Sequence, residues 1–393
     1  MTTTSPAAIA GRLRAEDCHL EDLLAVLAEP TELSDYPHAS RVDQGVVVYA
    51  SDRLRGVIAD PARRTEVEGE VARALSDGPG IVVFEGAFAP EVVDRTTSAF
   101  QQLITDQNAS GVRAGDHFAK PGANDRVWNA LEKLAVADPE SFVDYYANDL
   151  LALAASAWLG PAYQVTSQVN VVNPGGAGQT VHRDYHLGFQ SPEVSAAYPA
   201  HVHALSPVLT LQGAVAHCDM PVETGPTLYL PHSQKYSHGY LAYWLPEFQD
   251  YFVQHHVQLP LTKGDAVFFN PALFHAAGSN HSAGVHRMAN LLQVSSAFGR
   301  AMETVDRTRV VLSVYPALLA RKAIGASRRD LANAVAASAE GYAFPTNLDR
   351  DQPVDGMSPR TQAQTVLDAL DASASPEELG GQLAQQAWRT RSN

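Results

Sequence analysis

At 393 residues, with 45% of positions hydrophobic and 18% charged, the chain has ample length and apolar content for one large core with appended helices. A formal charge of −15 argues against a nucleic-acid partner, which calls for a concentrated basic surface. No apolar run approaches membrane-spanning length, Met1-Thr-Thr-Thr-Ser-Pro6 lacks a basic region followed by an apolar one, and Cys18 and Cys218 build no disulfide framework, so a cytoplasmic protein without a membrane partner is expected.

Residues 1–76 read as a mostly helical N-terminal extension. Leu20, Leu23, Leu24 and Leu27 are spaced for one apolar helix face, and Asp60-Pro61 opens a second helix. A core follows over 77–298. Within it, Asp116-His-Phe-Ala-Lys120-Pro-Gly-Ala-Asn-Asp-Arg126-Val-Trp128-Asn129 has the Pro-Gly and polar content of a loop, and its aromatic and cationic side chains suit a lid. Lys120, Arg126 and Trp128 are its candidate substrate contacts, the two cations for an anionic substrate; an exposed charged loop with no ligand is the alternative.

Gln168 to His182 alternates polar and β-branched residues, breaks at Pro174-Gly-Gly, and resumes, which predicts strand, turn and strand. In an extended strand residues i and i+2 share a face, so His182 and Asp184 point one way while Arg183 points the other. Packing and a substrate contact are both open for Arg183. Lys263-Gly264-Asp265 reads as a turn into an apolar strand, with His275 a few residues on and 93 after His182. Residues 299–393 return to helical patterns, interrupted by a breaker-rich loop from Gly341 to Pro353. The helical flanks are expected to buttress the core or to make a homo-oligomer interface.

Two imidazoles and one carboxylate suit a single Fe(II), since neutral nitrogen and hard oxygen donors hold it without the thiolates that favour zinc and leave positions open for chemistry. Histidine is abundant, with 12 of 15 copies between His182 and His286, and most cannot ligate one ion. His186, four after His182, lacks the intervening Glu of a helical zinc protease motif. His201-x-His203 has no adjacent carboxylate to complete a triad.

The context of these residues resembles the phytanoyl-CoA dioxygenase-like family of Fe(II)/2-oxoglutarate-dependent oxygenases. The matching pieces are Gln179-x-x-His182-x-Asp184, Glu223-Thr-Gly225-Pro226 leading to Pro231-His-Ser233-Gln-Lys235, Gly264-Asp265 before His275, and Asn280-x-Ser282 before Arg287. Gly80-Ile-Val-Val-Phe-Glu and the helix-like Pro90–Thr105 are similar to the family's opening strand and helix, so the resemblance runs from about Asp77 to Ala297. Two departures stand out: the family commonly has Pro-Gly-Ser-His-Lys where this chain has Pro231-His-Ser-Gln-Lys235, and the His275–Arg287 gap is one residue longer than usual.

The resemblance implies a mainly β double-stranded β-helix, a cupin-like jelly roll flanked by N- and C-terminal helices. It implies His182, Asp184 and His275 as catalytic metal ligands, and 2-oxoglutarate on the iron with its distal carboxylate on Arg287, where a planar guanidinium fork matches a carboxylate. Ser282 and Gln179 are further candidate cosubstrate contacts. O2 is the second cosubstrate, and oxidative decarboxylation to succinate and CO2 drives oxidation of the substrate. Halogenating relatives replace the carboxylate ligand with a small residue; Asp184 therefore favours hydroxylation of a small-molecule metabolite, with desaturation, epimerisation and cyclisation as variants. The alternatives are a non-catalytic jelly roll that binds or senses 2-oxoglutarate and a zinc-dependent enzyme on a related barrel. Substrate is expected to enter between the Lys120–Trp128 loop and the stretch near Tyr342–Asp351.

Overall fold

The computed structural model describes residues 11–111, 123–353 and 356–392. In chain order its strands are β1 (Arg41–Asp43), β2 (Val46–Ala50), β3 (Ile81–Glu85), β4 (Asn124–Val127), β5 (Gln164–Val172), β6 (Thr210–Ala216), β7 (Leu228–Leu230), β8 (Val257–Gln258), β9 (Ala266–Phe269), β10 (Phe274–Ala276) and β11 (Arg287–Ser295). Eight of them form one sheet in the order β1-β2-β3-β9-β6-β11-β5-β4, faced by a three-stranded sheet β10-β7-β8. The pair is the expected jelly roll.

Strand alternation divides the large sheet between two environments. Val47, Tyr49, Val82, Phe84, Val165, Val169, Leu211, Val215, Phe268 and Leu292 pack outward against helices, chiefly Pro61–Ser76, Pro90–Ala109, Ala130–Ala137, Pro139–Tyr146, Asp149–Leu159 and Arg307–Ala323. Their neighbours face the small sheet. On the β2-β3-β9 side that inner space is dry, filled by Val46, Val48, Ile81, Val83, Val267, Phe269, Tyr229 and Leu273. On the β6-β11-β5-β4 side it is polar, and Ala214, Ala289, Leu291 and Gln293 stay partly exposed within the sandwich. A cleft therefore opens there.

Two parts of the sheet depart from the sequence expectation. The N-terminal extension is not all helix: β1 and β2 form a hairpin whose two-residue loop, Gln44-Gly45, has positive φ at both positions (50° and 81°), as a type I′ turn requires. From β2 the chain passes through helices Ser51–Ile58 and Pro61–Ser76 and returns as β3, parallel to β2. Asp60 caps the second helix, accepting from Ala62 N at 2.8 Å and Arg63 N at 3.3 Å, with Pro61 in the first turn. The segment expected to be a lid loop also contains a strand, since Asn124–Val127 pairs antiparallel with β5 through Arg126↔Asn170. Backbone pairing at a sheet edge tolerates its charged side chains. Lys120 lies outside the described residues.

The C-terminal helices are tied to the sheet by Arg307, buried at the start of its helix, which donates to Val165 O at 2.7 Å and Ala337 O at 2.9 Å. The Tyr342–Asp351 stretch is irregular as expected and packs Tyr342 against Phe298, with ring centroids 5.4 Å apart. Among the described residues no helix is long and apolar enough to cross a membrane.

His217 marks the helix–sheet seam. Its Nδ1 meets Thr97 Oγ1 at 2.8 Å and its Nε2 meets the Tyr145 hydroxyl at 3.0 Å, and burial pushes its pKa down to about 3. The unfolded chain titrates near 6.5, so between these values it binds a proton that the folded state refuses. Stability is complete above pH 6.5 and falls on acidification toward 3, by up to about 1.4 kcal/mol per pH unit for this group. His232, pushed down to about 4 by burial, acts in the same direction. In His217→Gln, urea midpoints measured across the acid range should decline less steeply by one proton; an unchanged slope would move the acid sensitivity elsewhere.

Candidate metal centre

His182 and His275 face each other across the gap between the sheets. Instead of the second strand expected after the Pro174-Gly-Gly turn, the chain makes a single antiparallel bridge, His182↔His275, and Asp184 N then donates to Pro271 O at 3.0 Å. This suffices to align three donors. On β10, Phe274 and Ala276 turn into the outer cluster while His275 turns inward onto Phe269, at 4.9 Å between ring centroids. His182 and Asp184 share a side, as their spacing predicts.

The donor atoms of His182, Asp184 and His275 lie within 4.8 Å of one another. His275 Nε2 is 3.3 Å from Asp184 Oδ2, and His182 Nε2 is 3.7 Å from Asp184 Oδ1. Each imidazole spends its Nδ1 on a carbonyl two residues back, His182 on Thr180 O at 2.8 Å and His275 on Leu273 O at 2.9 Å. A ring that donates from Nδ1 presents an unprotonated Nε2, the form that binds a metal. Burial alone would raise the Asp184 carboxyl, but in the metal-free site the positive charge of the two imidazoles when protonated, with hydrogen bonds from His275 and the Gln212 amide, outweighs it and holds the group well below the usual carboxylate range. Gln212 on β6 donates to Asp184 Oδ2 and fixes the carboxylate's orientation. The donor set, two nitrogens and one oxygen without thiolate, fits Fe(II).

Along β11 and its neighbours the inward positions form rows: Arg287 with Val172 and Asn124, then Ala289 with Ala216, Asn170 and Arg126, then Leu291 with Ala214 and Gln168, then Gln293 with Gln212. Arg287 is 7% exposed, and its Nη1 donates to Gly278 O at 3.2 Å. Among the described residues it has no carboxylate partner within ion-pairing distance, and burial lowers its pKa to about 10. A desolvated guanidinium without a counter-charge is costly unless an anion supplies one. Alanines at 214, 216 and 289 leave room between it and the imidazoles, so the residues present also fit a small dicarboxylate.

The other expected contacts fall in different places. Ser282 is committed to its own loop, donating to Asn280 Oδ1 at 2.7 Å, and among the described residues it makes no hydrogen bond to Arg287. Gln179 lies beside the small sheet, its N–H on Ala277 O at 2.8 Å. Arg126 faces the cleft from β4, with its guanidinium 5.7 Å from the Trp128 ring.

Of the two readings left open for Arg183, its surroundings favour packing. Arg183 is 2% exposed and points away from the imidazoles, donating from Nη2 to Ser233 O at 2.6 Å and Tyr236 O at 3.0 Å, with Tyr240 and Phe274 rings 5.2 and 5.0 Å from Cζ. A Cβ at Gly239 would lie 1.8 Å from Arg183 Cζ, so only glycine admits the guanidinium. The face opposite the metal is a second core rather than solvent. Arg183→Met should therefore cost about 2 kcal/mol or more in urea unfolding, from the loss of two hydrogen bonds donated by a buried charged group, without altering saturation by substrate. The reverse pattern, intact stability with weakened saturation, would restore a substrate role.

Sequence reasoning missed Gln212, whose signal is a long polar side chain in the otherwise apolar run Leu211–Ala216. It also missed Glu303, on the connection after β11.

The chain matches the model of the phytanoyl-CoA dioxygenase family over residues 76–289. No curated protein sequence matches it. Among solved structures it is similar to AviO1 from Streptomyces viridochromogenes, with 20% identity, 59% of this chain and 96% of that chain covered and a TM-score of 0.43. It is also similar to the non-heme alpha ketoglutarate dependent carbocyclase SnoK from nogalamycin biosynthesis, with 22% identity, 60% and 86% covered and a TM-score of 0.43. A third is the epimerase SnoN in complex with Fe3+, alpha ketoglutarate and nogalamycin RO, with 18% identity, 61% and 85% covered and a TM-score of 0.37.

Proposed function

Because the chain belongs to the phytanoyl-CoA dioxygenase family and is thereby a non-haem iron- and 2-oxoglutarate-dependent enzyme, we propose that it hydroxylates a small-molecule metabolite, with release of succinate and CO2. His182, Asp184 and His275 are the proposed metal ligands and Arg287 the proposed anchor for the distal carboxylate of 2-oxoglutarate. The observation that carries this reading is the buried Arg287, without a carboxylate partner among the described residues, on the same inner face as a three-donor cluster.

Bound by the triad, Fe(II) supplies the dioxygen chemistry that decarboxylates the cosubstrate and oxidises the substrate. Everything else is the work of this chain's side chains. Thr180 O and Leu273 O hold the imidazoles in the tautomer that presents Nε2, and Gln212 keeps Asp184 turned toward them. Arg287 offers a charge-assisted pair at a buried position, where such a pair is strongest. Ala214, Ala216 and Ala289 leave the intervening space to the ligand, while Phe269 and Leu273 close the dry side against water.

The test is to incubate the iron-loaded chain with 2-oxoglutarate and a metabolite extract, following succinate and metabolites that gain one oxygen atom. Succinate formed in step with such a product is the expected result. Tight 2-oxoglutarate binding with no succinate under any extract would overturn it.

A further inference from the structure

Among the described residues, the wall of the cleft holds several buried acceptors without a hydrogen-bond partner. Gln212 and Gln293 are register partners, and Gln168 Nε2 donates to Gln293 Oε1 at 3.4 Å. Carboxamides thus cross from β6 over β11 to β5, about 10 Å or two strand spacings, starting at Asp184. At the far end stands Glu303. Its Oε1 accepts from the Asn129 N–H at 2.5 Å, and the Gln168 side chain is a further hydrogen-bond donor to the carboxylate.

Among the described residues Glu303 Oε2 is buried and accepts no hydrogen bond; the same holds for Gln212 Oε1, Asn170 Oδ1 and Asn129 Oδ1. Tyr185 lies close enough to both Asp184 and Glu303 for each carboxylate to raise its phenol, beneath the larger effect of burial. Its hydroxyl is also buried and unpartnered, and its backbone sits at φ 61°, ψ 145°, a region that side chains other than glycine's rarely enter. Strain and unpaired polar atoms together mark a place built for a ligand.

2-Oxoglutarate does not answer this need, because its carboxylates and ketone bring acceptors alone. Donors must come from the second ligand. Resting on the function proposed above, we propose that Glu303, with the Gln168–Gln293–Gln212 row, forms the substrate floor and takes an O–H or N–H donor, so that the substrate is a hydroxylated or amine-bearing molecule rather than an anionic one at this pole. Burial pushes the Glu303 carboxyl up to about 7, and a donor or cation placed against Oε2 would offset that burial by pairing with the ionised form. An anion placed there meets a second negative charge.

Three probes that share one ring, benzylamine, benzyl alcohol and benzoate, separate these chemistries. Each is titrated into the full chain loaded with Mn(II) and 2-oxoglutarate, and its proton relaxation by the metal reports both affinity and proximity to the triad. The amine and the alcohol should bind more tightly than benzoate. Glu303→Gln, which keeps the shape and the bond from Asn129, should weaken benzylamine about 10-fold or more and narrow its advantage over benzoate. Glu303→Asp, retaining the charge one methylene further back, should fall between. The proposal is overturned if wild type binds neither donor probe, if benzoate binds as well as the amine, or if both variants leave the order unchanged. Calorimetry of 2-oxoglutarate on metal-loaded wild type is scored separately: no binding removes the function proposed above, whereas binding with indifferent Glu303 variants removes only the substrate assignment.

Discussion

Asp184→Ala should leave a folded protein whose turnover drops to background and whose iron affinity falls by more than about 100-fold, since even partners one step removed from a metal commonly contribute 10–100-fold. The loss has two parts. The carboxylate is the one anionic donor in the cluster, and without it Gln212 is left with a buried donor facing two imidazoles. His182→Ala and His275→Ala should lose iron as well. Anaerobic equilibrium dialysis with iron, run beside succinate formation, checks all three. Full iron occupancy in any of them would mean that the ion sits elsewhere.

Arg287→Ala should act on the cosubstrate and leave iron in place. Removing one member of a buried charge-assisted pair costs about 2–5 kcal/mol, much of it from the carboxylate left behind, so half-saturation by 2-oxoglutarate should rise about 30-fold or more. Half-saturation by the oxidised substrate should hardly move. Arg126 supplies the control, since it faces the same cleft one row along. A normal 2-oxoglutarate titration in Arg287→Ala, with Arg126→Ala impaired instead, would shift the carboxylate anchor.

How much of this could be read in advance depended on sequence distance. The i, i+2 spacing of His182 and Asp184 fixes their common side wherever the backbone is extended, and that survives although the structure has only a bridge where a strand was expected. The turn before β9 and the strand before helix Pro90–Ala109 follow from local chemistry in the same way. What could not be read was set by pairing between remote segments. Val46–Ala50 is a five-residue apolar run that becomes a strand because β3 lies beside it, and Asn124–Val127 becomes one because β5 offers an edge. Arg183 shows the limit of alternation, which says that a side chain points away from a metal but not whether solvent or a second core waits there. Gln212 and Glu303 acquire their roles only from neighbours that the fold brings to them.

The hairpin β1–β2 and its parallel return to β3 have a consequence for where this protein can be cut. The stretch that carries the family's features begins at residue 76, just before β3, yet Val46 and Val48 belong to the dry core between the sheets and Val47 and Tyr49 to the core beneath the helices. A piece starting at residue 76 would uncover the backbone of Ile81–Glu85 as a raw apolar edge, the kind that recruits strands from other molecules. In this chain the unit that folds reaches back well before the unit that reacts. The hairpin shields that edge and ends the sheet in β1, which has only three residues and begins with Arg41 paired to Glu85.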